Sequence, residues 1–157
     1  MRLRVLLPLF LAFLVFAGCT GGPQAQRQLG REDVFFSPSN VSVSAEAART
    51  PEQLDAGLMF RTSLGEKDGM FFYMNYSAYH AFWMVNTKIP LEAIFLDDNF
   101  TVVDIIEMDP CSDPGTPTRA PNCTIYLPKW PALYVLEVNQ NFSSRYGIRD
   151  GDVARVS

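Results

Sequence analysis

Short β-favouring segments separated by turn residues constrain the fold of this chain more than any other feature. The segment "VSVSAEA" (residues 41–47) alternates apolar and polar side chains, which is typical of a half-buried strand. Further β-favouring segments are "GMFFYM", "AFWMV", "LEAIFLD", "TVVDIIEM", "ALYVLEV" and "DVARVS". Asp97, Asp98 and Asn99 lie between two of them and predict a hairpin. We therefore expect a mainly β fold, a compact β-sandwich or small barrel with one or two short helices.

Two segments predict the helices. In "TPEQLDAGLMF" (residues 50–60), Thr50 can cap a helix, Pro51 suits its first position and Gln53 completes a capping box. Leu54 and Leu58 would then share one helix face. The segment "QNFSSRYG" (residues 140–147) predicts a second short helix, capped by Asn139 and ending at Gly147.

The N-terminal segment predicts export. Arg2 and Arg4 precede an apolar run over residues 5–16, which is shorter than the roughly 20 residues of a membrane-spanning helix. The stretch "FAGC" resembles a lipobox, although Phe16 stands where Leu is usual. We expect a signal peptide (residues 1–18), a lipid on Cys19, a flexible tether (residues 19–33) and one globular domain (residues 34–157). The protein would then be anchored to the outer face of the cytoplasmic membrane. The alternative is ordinary cleavage and free secretion.

The charge of the mature chain is acidic. The sequence contains 13 basic and 17 acidic residues, and removal of residues 1–18 deletes two basic ones, so the mature net charge is 11 − 17 = −6. Because phosphate backbones are bound by basic patches, we do not expect a nucleic-acid partner. The expected partners are the membrane, through the N-terminal lipid, and a small molecule or glycan.

Cys111 and Cys123 predict a disulfide. They bracket the Pro-, Gly- and Thr-containing segment "SDPGTPTRAPN", and such a pair in an oxidising compartment is typical of a structural bridge. Zinc binding is the rival interpretation, but His80 is the single histidine of the chain. The acidic turns lack a calcium-loop signature. We therefore expect no metal and no cofactor.

Five of the seven asparagines lie in N-x-S/T patterns, which predicts surface N-glycosylation. The alternative is coincidence, since Asn and Ser both favour turns. The five positions are Asn40, Asn75, Asn99, Asn122 and Asn141.

An ordered set of segments resembles a known family. "TPEQLDAGLMFR", "GMFF", "FWMVNTKIPLEAIFLD", "YVLEV" and "YGIRDGD" together are similar to the family called domain of unknown function 192. The resemblance implies a compact, mostly β, commonly exported domain with no settled activity. The family pattern falls on Gly57, Leu58, Met59, Arg61, Phe82, Trp83, Met84, Asn86, Thr87, Pro90, Leu91, Asp97, Leu136, Glu137, Gly147, Gly151 and Asp152. Val85 and Glu92 depart from it, because Lys and Asp are usual there.

The segment "FWMVNT" has two interpretations. It is either a core strand, with Trp83 filling the interior, or one wall of a small-ligand cleft. The candidate ligand-binding residues are Met59, Arg61, Trp83, Met84, Asn86 and Glu137. Alternatively, Arg61 forms a structural ion pair with Glu137 or Asp97.

The chemistry also has two interpretations. The favoured function is a non-catalytic surface accessory or ligand-binding module, and no catalytic residue is assigned. The alternative is a hydrolase of envelope polysaccharide that uses a pair of carboxylates. The available acids are Asp97, Asp98, Asp104, Glu107, Asp109 and Asp113.

Overall fold

The structure is a computed structural model that describes residues 29–111, 115 and 122–157. Within these residues it forms nine strands and two short helices. In chain order they are β1 (Arg31–Ser37), β2 (Val41–Ala48), α1 (Pro51–Ala56), β3 (Asp68–Ala78), β4 (Phe82–Trp83), β5 (Leu91–Leu96), β6 (Val102–Met108), β7 (Ile125–Tyr126), β8 (Ala132–Asn139), α2 (Phe142–Tyr146) and β9 (Val153–Val156). The predicted mainly β class with two short helices is confirmed.

Seven of the strands form one curled sheet, in the order β6-β5-β8-β3-β2-β1-β9, and β4 pairs with β7 in a small second sheet. Strands β2 and β3 are parallel, joined through α1, whereas the other pairs are antiparallel. The two ends of the large sheet approach each other. Val102 N donates to Asp152 O at 2.8 Å and Ala154 N donates to Phe100 O at 2.9 Å. The sheet is therefore a half-barrel.

Both faces of this sheet are buried. The barrel core lies on one face and contains Val34, Phe36, Phe71, Leu136 and Phe142, among others. The second core lies on the opposite face and contains Leu58, Met70, Phe72, Phe95 and Val135, among others. Adjacent residues of a strand point to opposite faces, so β5 is buried at all six positions. We call the second cluster the loop-covered core, because residues of α1, the segment after it and β4 pack over it.

Several sequence predictions are confirmed in detail. Thr50 caps α1, Gln53 completes the capping box, and Pro51 is the first helical residue. The hairpin at residues 97–99 joins β5 to β6. The predicted disulfide between Cys111 and Cys123 is present, with the two Cα atoms 5.2 Å apart.

Other local predictions are wrong. Helix α1 ends at Ala56, so Leu58 is not on a helix face with Leu54, although it is buried. Asn139 does not cap α2. It is the last residue of β8, and its side chain donates to Leu64 O and Gly65 O. Asn141 holds the cap position instead, and α2 ends at Gly147 as predicted.

The predicted signal peptide, Cys19, most of the tether and Asp113 lie outside the described residues. Strand β1 begins at Arg31, so residues 31–33 of the segment assigned to the tether are part of the sheet. In the part of the chain that the structure describes, no helix has the length and apolar composition needed to span a bilayer.

Candidate functional site

An open cleft of about 600 Å³ lies over the loop-covered core. Its floor comes from β3 and β8, and its walls come from α1 with the following residues and from the segment that contains β4. The lining residues are Leu54, Asp55, Ala56, Gly57, Leu58, Met59, Phe72, Met74, His80, Ala81, Phe82, Trp83, Thr87 and Glu137.

Glu137 is the polar residue of the cleft floor. It lies on β8, opposite Met70 of β3 and Ala93 of β5, on the face where both neighbours are fully buried. The Glu137 side chain is directed into the cleft, since a methyl group added at Gly57 would lie 3.9 Å from its Oε2 atom. The residue is 5% exposed.

The carboxyl group of Glu137 has no hydrogen-bond or ionic partner among the described residues. Burial alone raises the pKa of this carboxyl group to about 8, from 4.5 for an ordinary glutamate. Desolvation disfavours the charged form, and no positive group among the described residues offsets it. A carboxyl group of this kind can donate a hydrogen bond when protonated and can bind a cation when ionised.

Aromatic side chains form the walls around this carboxyl group. Phe82 contacts Phe72 and Phe95 edge to face, with ring centroids 5.4 and 5.6 Å apart. Trp83 is 49% exposed at the rim and pairs across the small sheet with Ile125. His80 lies near the rim, where its Nε2 atom is 2.9 Å from the carbonyl oxygen of Tyr76.

The two wall segments are fixed to each other through the backbone. Phe60 N donates to Asn86 O at 2.8 Å, and both residues adopt positive φ angles, of 65° and 57°. Gly57, at φ 44°, takes the chain out of α1 and over Phe72 and Glu137. Such turns are accessible to Gly and Asn, and the cleft therefore depends on backbone conformations that few residues adopt readily.

Residues 34–156 match the family model of domain of unknown function 192, which is described as an uncharacterized ACR. The chain belongs to the DUF192 family. This is the family that the ordered sequence segments predicted.

Several solved structures are similar to this DUF192 domain, and two of them show how far the similarity extends. One, from Novosphingobium aromaticivorans, is a protein of unknown function with 34% sequence identity and a TM-score of 0.65, and the match covers 82% of this chain and 85% of that chain. The other, from Sinorhizobium meliloti, has a description that proposes a transcription regulator. It has 27% identity and a TM-score of 0.71, over 82% of this chain and 95% of that chain. No protein with a curated description matches.

The structure brings together three of the six candidate ligand-binding residues of this DUF192 domain. Met59, Trp83 and Glu137 line the cleft. Met84 is buried in the loop-covered core, and Asn86 contributes its backbone to the wall connection. The core-strand interpretation predicted that the side chain of Trp83 fills the interior. The structure instead places this side chain at the rim of the cleft, 49% exposed.

Arg61 lies outside the cleft lining and is paired. Its guanidinium group donates two hydrogen bonds to the Glu46 carboxylate, at 2.9 and 2.7 Å. Arg61 therefore forms a structural ion pair, but the predicted partners, Glu137 and Asp97, are wrong, because the partner is Glu46. This bidentate pair ties the segment after α1 to β2.

The acids considered for hydrolysis have other roles in the DUF192 fold. Asp97 accepts bonds from Asn99 N and Thr101 N in the hairpin, and Asp104 pairs with Lys129 Nζ at 3.0 Å. None of the described members of that group lines the cleft.

Sequence reasoning missed Asp55, Phe72, Phe82 and His80 as cleft residues. Phe72 and Phe82 lie in apolar segments that also suit a core, and both are indeed buried. The positive φ of Gly57 marks the turn over the floor, and Gly57 is a position of the family pattern. That turn was the available signal that α1 is followed by a cleft wall.

Proposed function

We propose that this DUF192 domain is a non-catalytic small-ligand-binding module at the cell envelope, and that the Glu137 cleft is its binding site. One observation carries the proposal. Glu137 is only 5% exposed, and its carboxyl group faces an open cleft without a partner among the described residues.

A buried polar group without a partner lowers the stability of a fold, by about 1–3 kcal/mol for an ordinary group and by more for a charged one. Val135, two residues earlier on the same face of β8, shows that an apolar side chain fits this surface. A ligand that hydrogen-bonds to Glu137 would offset the cost of its burial. Apolar walls with few polar groups are also the usual composition of a small-ligand site.

The cleft supports binding better than hydrolysis. Glycoside hydrolysis by two carboxylates requires an acid and a nucleophile or base on either side of the scissile bond, roughly 5–10 Å apart. Among the described lining residues, the carboxylate besides Glu137 is Asp55, which is exposed on α1. The structure shows no hydrogen bond that would fix the Asp55 side chain opposite Glu137 within the described residues.

The location at the envelope is part of the proposal and has three supports. Residues 2–19 have the order of charge, apolar run and cysteine that a lipoprotein signal has. The Cys111–Cys123 disulfide suits an oxidising compartment. All five asparagines of the N-x-S/T patterns are exposed, whereas Asn86 and Asn139 are partly buried. We therefore propose lipidation at Cys19 and N-glycosylation at these five positions.

A DNA-binding role is not part of the proposal. This chain, without residues 1–18, has a net charge of −6, which does not favour binding to the phosphate backbone of DNA.

The binding function is tested by ligand-observed NMR with a fragment library and the mature chain from residue 19. The cleft-blocking variant is Ala81→Trp, because Ala81 is an exposed lining residue. The matched control is Arg155→Trp, an exposed position on β9 at the far end of the sheet order. We expect fragments that bind the wild type and Arg155→Trp but not Ala81→Trp. A library without any such fragment would overturn the proposed function.

The location is tested by the intact mass of the protein extracted from its native membrane, before and after deglycosylation. We expect a chain that begins at a lipidated Cys19 and loses glycan mass. An unmodified mass that still includes residues 1–18 would contradict both the lipidation at Cys19 and the N-glycosylation.

A further inference from the structure

The charge of the cleft lining is one-sided. Asp55 and Glu137 are acidic, and the described residues of the lining include no Lys or Arg. The nearest arginine in sequence to the wall, Arg61, is occupied by Glu46. An anionic ligand would therefore meet two carboxyl groups and no compensating positive charge from the described lining residues, which disfavours an anionic ligand.

The remaining lining groups favour a positive charge. Phe72, Phe82 and Trp83 present aromatic rings, whose faces attract cations. Because the Tyr76 carbonyl oxygen can only accept, the contact at 2.9 Å indicates that His80 Nε2 carries the proton. With the proton on Nε2, the Nδ1 atom of His80 is a hydrogen-bond acceptor.

We propose that the ligand of the Glu137 cleft carries a primary alkylammonium group, which pairs with the Glu137 carboxylate while its apolar body packs against Phe72, Phe82 and Trp83. This inference rests on the proposed binding function and names its ligand class.

Of the ligand groups considered, an ammonium group best compensates the buried charge of the Glu137 carboxylate on the cleft floor. A buried carboxylate without a counter-charge is costly, and an ion of opposite sign at hydrogen-bond distance removes most of that cost. The burial that raises the pKa of Glu137 to about 8 is a measure of the same cost.

A neutral sugar fits the lining less well. A sugar ring directs hydroxyl groups to several sides and needs a polar partner for each buried one. Among the described residues, the polar side chains of the lining are Asp55, His80, Thr87 and Glu137, and Asp55 is exposed on the wall. Most of the remaining lining is aliphatic, aromatic or methionine, which suits a hydrocarbon body.

The test compares three probes of the same shape: 2-phenylethylammonium, the neutral 2-phenylethanol and the anionic 3-phenylpropionate. Each is titrated into the mature wild-type chain, and the Kd is measured by ligand-observed NMR. We expect the ammonium to bind about tenfold or more tightly than the alcohol, and 3-phenylpropionate not to bind.

Glu137→Gln keeps the size of the side chain and removes its charge. In this variant we expect the affinity for the ammonium to fall to that of the alcohol, with the affinity for the alcohol unchanged. Glu52→Gln is the matched control, because Glu52 is an exposed acid on the same helix as Asp55 but does not line the cleft. It should change neither affinity. Thermal unfolding of each variant verifies that it folds.

The outcomes separate the ligand class from the binding function. Equal affinities for the ammonium and the alcohol in the wild type, or an ammonium affinity that Glu137→Gln leaves unchanged, would overturn the ammonium proposal. If fragments blocked by Ala81→Trp had been found, the binding function would still stand. Failure of every fragment and all three probes would overturn both.

Discussion

At the scale of single residues, the Glu137 carboxyl group should make stability depend on pH. Its pKa is about 8 in the folded chain and 4.5 in an ordinary glutamate, so the folded state holds a proton that the unfolded state has lost between these values. The free energy of unfolding should therefore fall as pH rises from about 4.5 to about 8 and change no further above it. Glu137→Gln removes this dependence and should be the more stable protein at pH 9, by on the order of 4 kcal/mol.

The measurement is denaturant unfolding of both proteins at pH 5, 7 and 9. Glu92 adds a smaller total change of the same sign in both proteins, because burial and a hydrogen bond with Glu107 raise its pKa to about 7. The difference in the free energy of unfolding between the wild type and Glu137→Gln, taken at each pH, therefore reports the contribution of Glu137 alone. Parallel profiles would show that the Glu137 carboxyl group is solvated or paired.

At the scale of elements, local sequence signals predicted local structure. The capping box of α1, the hairpin before β6 and the end of α2 at Gly147 each depend on residues within one or two turns. Ile94 and Phe95 face opposite sides of β5, as the alternation of side chains along a strand requires. Alternation could not show that both sides are buried, because that depends on segments distant in the sequence.

The same limit applies to the candidate site. In "YVLEV", Glu137 alternates with Leu136 and Val138, which by itself is typical of a polar residue on a solvent face. Glu137 is buried because the segment after α1 and the segment of β4 cover that face. Met59, Trp83 and Glu137 could be proposed from the family pattern and residue type. The pairing of Arg61 with Glu46, on β2, could not be.

Helix α2 provides a prediction at the same scale, because distant residues hold its start. Ser143 donates to the buried Glu92 carboxyl group through its backbone N at 2.8 Å and through Oγ at 2.9 Å. Ser143→Ala should lower the free energy of unfolding by about 1–3 kcal/mol, since it removes a hydrogen bond from a buried carboxyl group. Ser144→Ala, at the exposed neighbouring position, should cost less than about 0.5 kcal/mol. Equal losses in denaturant unfolding would contradict this role for Ser143.

At the scale of the whole molecule, one sheet supports two cores of different construction. The barrel core includes side chains from both ends of the sheet, Val102 and Ala154, and the curl of the sheet brings these ends together. The loop-covered core instead depends on short connections and on the small β4–β7 sheet. The cleft is in this second, less regular half, where a ligand can reach a strand of the sheet without opening the barrel.

The disulfide should stabilise this second half in particular. Cys111 packs against the loop-covered core, and Asp109 N donates to the hydroxyl group of Tyr126 on β7, the strand that pairs with Phe82 and Trp83. Replacing Cys111 and Cys123 together by Ala should lower the free energy of unfolding by about 3 kcal/mol, because the unfolded chain regains the freedom of the closed loop. The amide hydrogen of Trp83 should exchange with solvent faster than the lower global free energy of unfolding predicts. The exchange rate of the Phe71 amide in β3 should rise only by the amount that the global change predicts. Reduced wild-type protein is the control and should match the double variant. If Trp83 keeps the same protection relative to Phe71, the disulfide does not hold the wall of the cleft.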